Sequence, residues 1–215
     1  MKIVPAVLAT NIDDFELRIQ QAEGFAEYIQ IDLMDGVFVP TQSFTSEKIN
    51  SLKTSLSFEV HLMVKHPAAY FSHIDTPHLK KVIFHVESEV KHKELIQTIH
   101  ERGFKAGLAI NPGTEIETFK HLADDIDTLM FLTVDPCCYG NPFKPEVLKK
   151  ISKTRQIFKE KVLGVDGGVS LDNLKSFFNI GVDYVCVGSR IFLKGNPEEN
   201  YRLFTKRAAE LSFDI

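Results

Sequence analysis

Tryptophan is absent, and cysteine occurs only as Cys137, Cys138 and Cys186 in a chain of 215 residues. An odd count with one adjacent pair is no disulfide framework, and the spacing does not suit a zinc-cysteine site, so a reducing cytoplasm is the expected setting. Basic residues are not in excess: 25 Lys and Arg stand against 29 Asp and Glu, a net charge of −4. That excludes the electrostatic footprint of a nucleic-acid binder and gives no basic amphipathic face for a membrane surface. No apolar run approaches the roughly 20 residues that span a bilayer. The segment Met1–Leu8 passes directly into a strand-like run, and no leader peptide is expected there. Linkers rich in Pro, Ser or Gly are also lacking, so residues 1–215 are read as one domain.

What is present is an alternation. Apolar, β-branched runs at Ile3–Ala9, Tyr28–Met34, Leu56–Val64, Lys81–Glu87, Lys105–Asn111, Thr128–Val134, Val162–Asp166 and Tyr184–Gly188 read as strands. Amphipathic stretches near Ile12–Glu23, Ser46–Leu52, Ala68–Asp75, Val90–Arg102, Ile116–Asp124, Pro145–Lys159, Leu171–Asn179 and Glu198–Leu211 read as helices. Asn11 before Asp13 and Asp14, and Ser170 before Asp172 and Asn173, are start signals; Gly24 and Gly103 are stop signals. Strand–helix units of about 27 residues predict an α/β fold, a single (β/α)8 TIM barrel near its lower size limit. The competing doubly wound sheet calls for a glycine cluster after the first strand. Here that turn reads Ala9-Thr10-Asn11, and the glycines gather late, at Gly167-Gly168 and Gly188, where barrels commonly hold a phosphate.

Three apolar runs carry a polar residue where they end: Ile29-Gln30-Ile31-Asp32, Phe58-Glu59-Val60-His61 and Val165-Asp166-Gly167-Gly168. A carboxylate in such a place is costly unless paired, liganded or catalytic, although a plain helix cap is the competing reading for any one Asp. On a barrel the strand ends share one rim, so Gln30, Asp32, His61, Asp166 and the backbone of Gly168 and Gly188–Ser189 converge on one pocket. Met34 and Met63, two residues past Asp32 and His61, read as an apolar floor, for which plain core packing is the alternative. Asp35 opens an Asp-Gly turn. His85 reads as a hydrogen-bonded wall residue rather than a ligand. Arg190 suits either a phosphate contact or a surface ion pair. Nothing near Cys137 and Cys138 argues for a reactive thiol. His66, His73, His78, His92, His100 and His121 are expected at the surface.

Taken together, Asp32-Leu33-Met34-Asp35-Gly36-Val37-Phe38-Val39-Pro40, Glu59-Val60-His61-Leu62-Met63-Val64, Asn111-Pro112-Gly113-Thr114, Val165-Asp166-Gly167-Gly168-Val169 and Gly188-Ser189 resemble the ribulose-phosphate 3-epimerase family over almost the whole chain. The resemblance implies a (β/α)8 barrel that interconverts two pentulose 5-phosphates differing at carbon 3, with a small-molecule sugar phosphate as partner and a homo-oligomeric assembly. It implies Asp32 and Asp166 as the acid/base pair. It also implies a divalent metal (Zn, Mn, Mg or Fe) at Gln30, Asp32, His61 and Asp166. Substrate contacts are implied at Ala6, Met34, His61, Met63, Gly140, Gly167, Gly168, Gly188, Ser189 and Arg190.

The sequence departs from the family pattern in three places. A metal-binding histidine is replaced by Gln30, whose neutral amide is a poor zinc ligand, so a metal is expected to be weakened or absent. A serine is replaced by Ala6. The glycine-rich loop after the sixth strand reads Pro136-Cys137-Cys138-Tyr139-Gly140. The alternatives are another sugar-phosphate activity on the same barrel, or a non-catalytic phosphosugar-binding protein.

Overall fold

The computed structural model describes residues 1–136 and 140–213. Its strands are β1 (Lys2–Val7), β2 (Tyr28–Met34), β3 (Ser57–Met63), β4 (Leu79–His85), β5 (Lys105–Ile110), β6 (Thr128–Leu132), β7 (Val162–Asp166) and β8 (Tyr184–Val187). Each pairs in parallel with the next, and β8 closes on β1, giving the (β/α)8 barrel that the alternation predicts. Outside it lie α1 (Ile12–Glu23), α2 (Glu47–Asn50), α3 (Pro67–Ser72), α4 (His92–Glu101), α5 (Ile116–Phe119), α6 (Val147–Ile157), α7 (Leu174–Asn179), α8 (Ser189–Phe192) and α9 (Pro197–Phe213).

Local chemistry accounts for these boundaries. The Asn11 side chain accepts the Asp14 N–H at 2.9 Å and starts α1, whose buried face is Phe15, Arg18, Ile19 and Ala22, the spacing of one helical stripe. Six expected helices shorten, to α2, α3, α4, α5, α6 and α7, and α5 passes into a 3-10 turn at Lys120–Leu122. In α7 the reason is visible: Asn173 Oδ1 accepts the Ser170 N–H and its Nδ2 donates to the Gly168 carbonyl. Residues 170–173 therefore close a loop, and the helix waits until Leu174. The short α8 lies between the expected strand ending at Gly188 and the expected helix from Glu198, where no element is expected.

Two of the apolar clusters among the described residues make up most of the interior. The larger fills the space between strands and helices, with Phe15, Phe58, Phe84, Phe131 and Phe177 among its fully buried side chains, each worth about 1.5–3 kcal/mol of transfer free energy. The smaller lies inside the barrel and gathers Val4, Ala6, Ile83, Ala109, Met130, Leu132, Tyr184 and Cys186. Its packing alternates small with large: a Cβ at Gly164 would lie 2.4 Å from the Tyr184 ring. Part of the interior is polar, because Gln30, Asp32, Glu59, His61, Lys81 and His85 are all buried.

Candidate active site

Strand pleat puts alternate residues on one face. On β2 the inward phase carries Gln30 and Asp32, on β3 Glu59 and His61, on β4 Lys81 and His85, and on β8 Tyr184 and Cys186. Register aligns Asp32 with His61, Glu59 with Lys81 and Asp166 with Cys186. The barrel thus brings to one place residues separated by over a hundred positions.

At its centre, Gln30 Nε2 donates to Asp32 Oδ1 at 2.8 Å and to Asp166 Oδ2 at 2.9 Å. The same two oxygens lie 3.2 Å from His61 Nδ1. The outward end of the carboxamide is also occupied: Cys186 Sγ donates to Gln30 Oε1 at 3.0 Å. Behind His61, its Nε2 meets His85 Nε2 at 2.9 Å, and His85 Nδ1 meets Glu87 Oε2 at 3.2 Å. Below this layer Glu59 pairs with Lys81 at 2.9 Å and accepts the Tyr28 hydroxyl at 3.0 Å.

The titrations follow from burial and neighbours. Burial pushes the Asp32 carboxyl up to about 6; repulsion from Asp166 adds to this, while hydrogen bonds from His61 and Gln30 pull it back. Burial also works against charge on His61, but hydrogen bonds and attraction from Asp166 and Asp32 outweigh it and hold the imidazole at about 9. Burial pushes His85 down to about 4, so it stays neutral beside His61. The Cys186 thiol is pushed well up by burial and then by Glu59, so it keeps its hydrogen.

Ligand atoms of Asp32, His61 and Asp166 all lie within 4.8 Å of one another, and two carboxylates with one imidazole suit a divalent cation. Gln30 fits less well. Its NH2, not its oxygen, faces the centre, so it joins a cation only with the carboxamide turned over.

Asp32 and Asp166 line one cavity of about 490 Å³, together with Ala6, Met63, Gly140, Gly167, Gly168, Gly188, Ser189 and Arg190. Gln30 and His61 sit beneath this lining, fully buried. Met34 is also buried, packed with Val39 and Met63. At one end of the cavity Gly167 has φ +97°, and a Cβ there would lie 2.4 Å from Val134 Cγ2, so the turn after β7 admits only glycine without rearrangement. Cys137, Cys138 and Tyr139 lie outside the described residues.

Residues 2–192 match the model of the ribulose-phosphate 3-epimerase family. The chain belongs to that family. It is 30% identical over 200 residues to ribulose-phosphate 3-epimerase of Bacillus subtilis (strain 168), covering 89% of this chain and 92% of the relative. It is 31% identical over 198 residues to that of Treponema pallidum (strain Nichols), covering 88% and 90%. Among solved structures, 3-hexulose-6-phosphate synthase from Salmonella typhimurium superimposes with a TM-score of 0.68 at 14% identity, over 98% of this chain and all of the other. Orotidine 5'-monophosphate decarboxylase from Sulfolobus solfataricus does so with 0.64 at 14%, covering 98% and 99%. These two likenesses concern the fold alone.

Within this ribulose-phosphate 3-epimerase family member, sequence reasoning gave no role to Glu59, Lys81, Glu87 or Cys186. A signal existed for three of them. Glu59 precedes His61 by two, Cys186 precedes Gly188 by two, and Lys81 precedes His85 by four, so each shares an inward phase with a residue already singled out. Glu87 lies just past the end of β4, and its place is set by a loop from elsewhere in the chain. Asp35 proves to be a loop clamp: Oδ1 accepts the Val37 and Phe38 N–H groups and Oδ2 that of Lys65. Of the histidines expected at the surface, His66, His73, His100 and His121 are exposed, whereas His78 and His92 are half-buried, His92 bonded to the Val86 carbonyl.

Proposed function

We propose that the protein is an isomerase of the ribulose-phosphate 3-epimerase type, moving a proton at carbon 3 of a ketose 5-phosphate through an enediolate. The observation that carries this reading is the placement of Asp32 and Asp166 on one cavity, with an oxygen of each bound to the same Gln30 nitrogen. Removing a proton next to a carbonyl needs a base on one face, and returning it to the other face needs an acid. Two carboxyls sharing a buried centre hold one proton between them more readily than two charges, which supplies both partners at once. One Asp takes the carbon-3 proton while the other delivers its own, and the roles exchange in the reverse direction.

Around them, His61 and the Gln30 NH2 offset the charge of whichever carboxylate is ionised, and Met63 with Leu132 lines the apolar side of the cavity. Backbone N–H groups at Gly168 and Gly188–Ser189, with the Arg190 side chain, receive the phosphate, whose binding orients the reacting carbon. Asp32, His61 and Asp166 would hold a divalent cation, which supplies positive charge to a developing enediolate when bound.

The test is conversion of each pentulose 5-phosphate in D2O. Epimerisation with deuterium entering at carbon 3 is expected, and loss of the interconversion in both Asp32→Asn and Asp166→Asn. A protein that binds the sugar phosphate equally well with and without Asp32, and never exchanges the proton, is a binding protein on the same barrel.

A further inference from the structure

The motif Asn111-Pro112-Gly113-Thr114 touches neither Asp32 nor Asp166, yet hydrogen bonds link it to them. Its backbone is pinned from outside: Lys150 Nζ donates to the carbonyls of Asn111, Pro112 and Thr114 at 2.7, 2.8 and 2.8 Å. Facing inward, the Asn111 N–H donates to Glu87 Oε1 at 3.0 Å, and the Thr114 hydroxyl donates to the same oxygen. The other oxygen, Oε2, lies 3.2 Å from His85 Nδ1. His85 Nε2 lies 2.9 Å from His61 Nε2, and His61 Nδ1 faces the two aspartates.

Hydrogen positions follow by elimination. An ionised carboxylate only accepts, so His85 carries its hydrogen on Nδ1. Neutral His85 then has a bare Nε2, and the single hydrogen in the 2.9 Å contact belongs to His61 Nε2. That leaves His61 Nδ1 as the atom that answers to Asp32 and Asp166. Every link has one direction, and that direction starts at Glu87.

We infer that Glu87, held by the Asn111–Thr114 loop, is a positioning residue that sets the tautomer of His85 and through it the ring of His61 at the two aspartates. Histidines at reactive centres are commonly fixed in this way by the partner of the far ring nitrogen. The inference deepens the reading of Asp32, His61 and Asp166 as one centre and rests on it.

Glu87→Gln tests it almost isosterically. A carboxamide has a single acceptor atom, and the Asn111 and Thr114 donors claim it. The NH2 then faces His85 Nδ1, which must become an acceptor, and the links from residue 87 to His85 and from His85 to His61 reverse. The measurement is the 15N spectrum of histidine-labelled protein without sugar, together with its affinity for Mn2+. In the unsubstituted protein, His85 is expected to carry hydrogen on Nδ1 and His61 on both nitrogens. In Glu87→Gln, His85 is expected to carry it on Nε2 and His61 to lose its Nε2 hydrogen, with Mn2+ affinity falling at least tenfold. An unchanged His85 tautomer in the variant, or hydrogen on His85 Nε2 before substitution, overturns the inference. The second result needs no variant to fold. Neither readout uses turnover, so the positioning role can fail while epimerisation stands, and the reverse.

Discussion

Cys186 donates its thiol hydrogen to Gln30 Oε1 across 3.0 Å, and this bond fixes which end of the Gln30 carboxamide meets Asp32 and Asp166. With the oxygen engaged behind, the NH2 bridges the carboxylates. The bridge and a bound cation therefore compete for the same space.

Gln30→His changes the balance. An imidazole in place of the amide adds a nitrogen ligand to Asp32, His61 and Asp166. Zinc affinity, measured by calorimetry, is expected to rise at least tenfold, with faster carbon-3 exchange in the loaded protein. An unchanged affinity would place the limitation at Ala6 or in the loop around Gly140 instead.

Turnover of the cation-free protein should fall as pH rises through about 6. The reaction uses one Asp ionised and the other protonated, and there Asp32 gives up the proton it has to deliver. A second fall is expected as pH passes about 9, where His61 gives up the proton that offsets the carboxylate charge. A pH–rate profile checks both steps. His61→Phe is expected to remove the second.

Lys81→Met should destabilise the fold. Glu59 is fully buried and Lys81 nearly so, and the substitution leaves a carboxylate without its 2.9 Å partner inside the barrel. A loss of about 3 kcal/mol is expected in denaturant unfolding. Replacing both, as Glu59→Leu with Lys81→Met, should recover most of it, because no charge is then left unpaired.

Gly167→Ala should act on the phosphate end of the cavity. A side chain at φ +97° against Val134 forces the turn after β7 to move. Protection of the fold by inorganic phosphate, read as a rise in Tm, is expected to weaken more than tenfold in apparent affinity. Gly103→Ala, also at positive φ but on the open surface, should leave it unchanged.

What the sequence made legible and what it hid divide along physical lines. Asp32, His61 and Asp166 stood out because a polar residue ending an apolar strand is costly and so needs a reason. The barrel stood out because strand and helix periods alternate without interruption. The orientation of Gln30 was hidden, since it depends on a thiol 156 residues away that only barrel closure brings near. Glu87 was hidden for the same reason, its donors coming from the loop after β5. The helix α8 was hidden because four residues, Ser189–Phe192, are too few to show a period. Ser170 looked like a cap, but Asn173 uses the local donors to close a loop instead.

The most direct test of two opposed aspartates is deuterium exchange followed separately on each carbon-3 epimer in the two single variants. Asp32→Asn is expected to keep exchange on one epimer only, through Asp166, and Asp166→Asn to keep it on the other only, with neither variant interconverting them. Residual exchange of both epimers to the same extent in either variant would contradict a pair of bases acting on opposite faces.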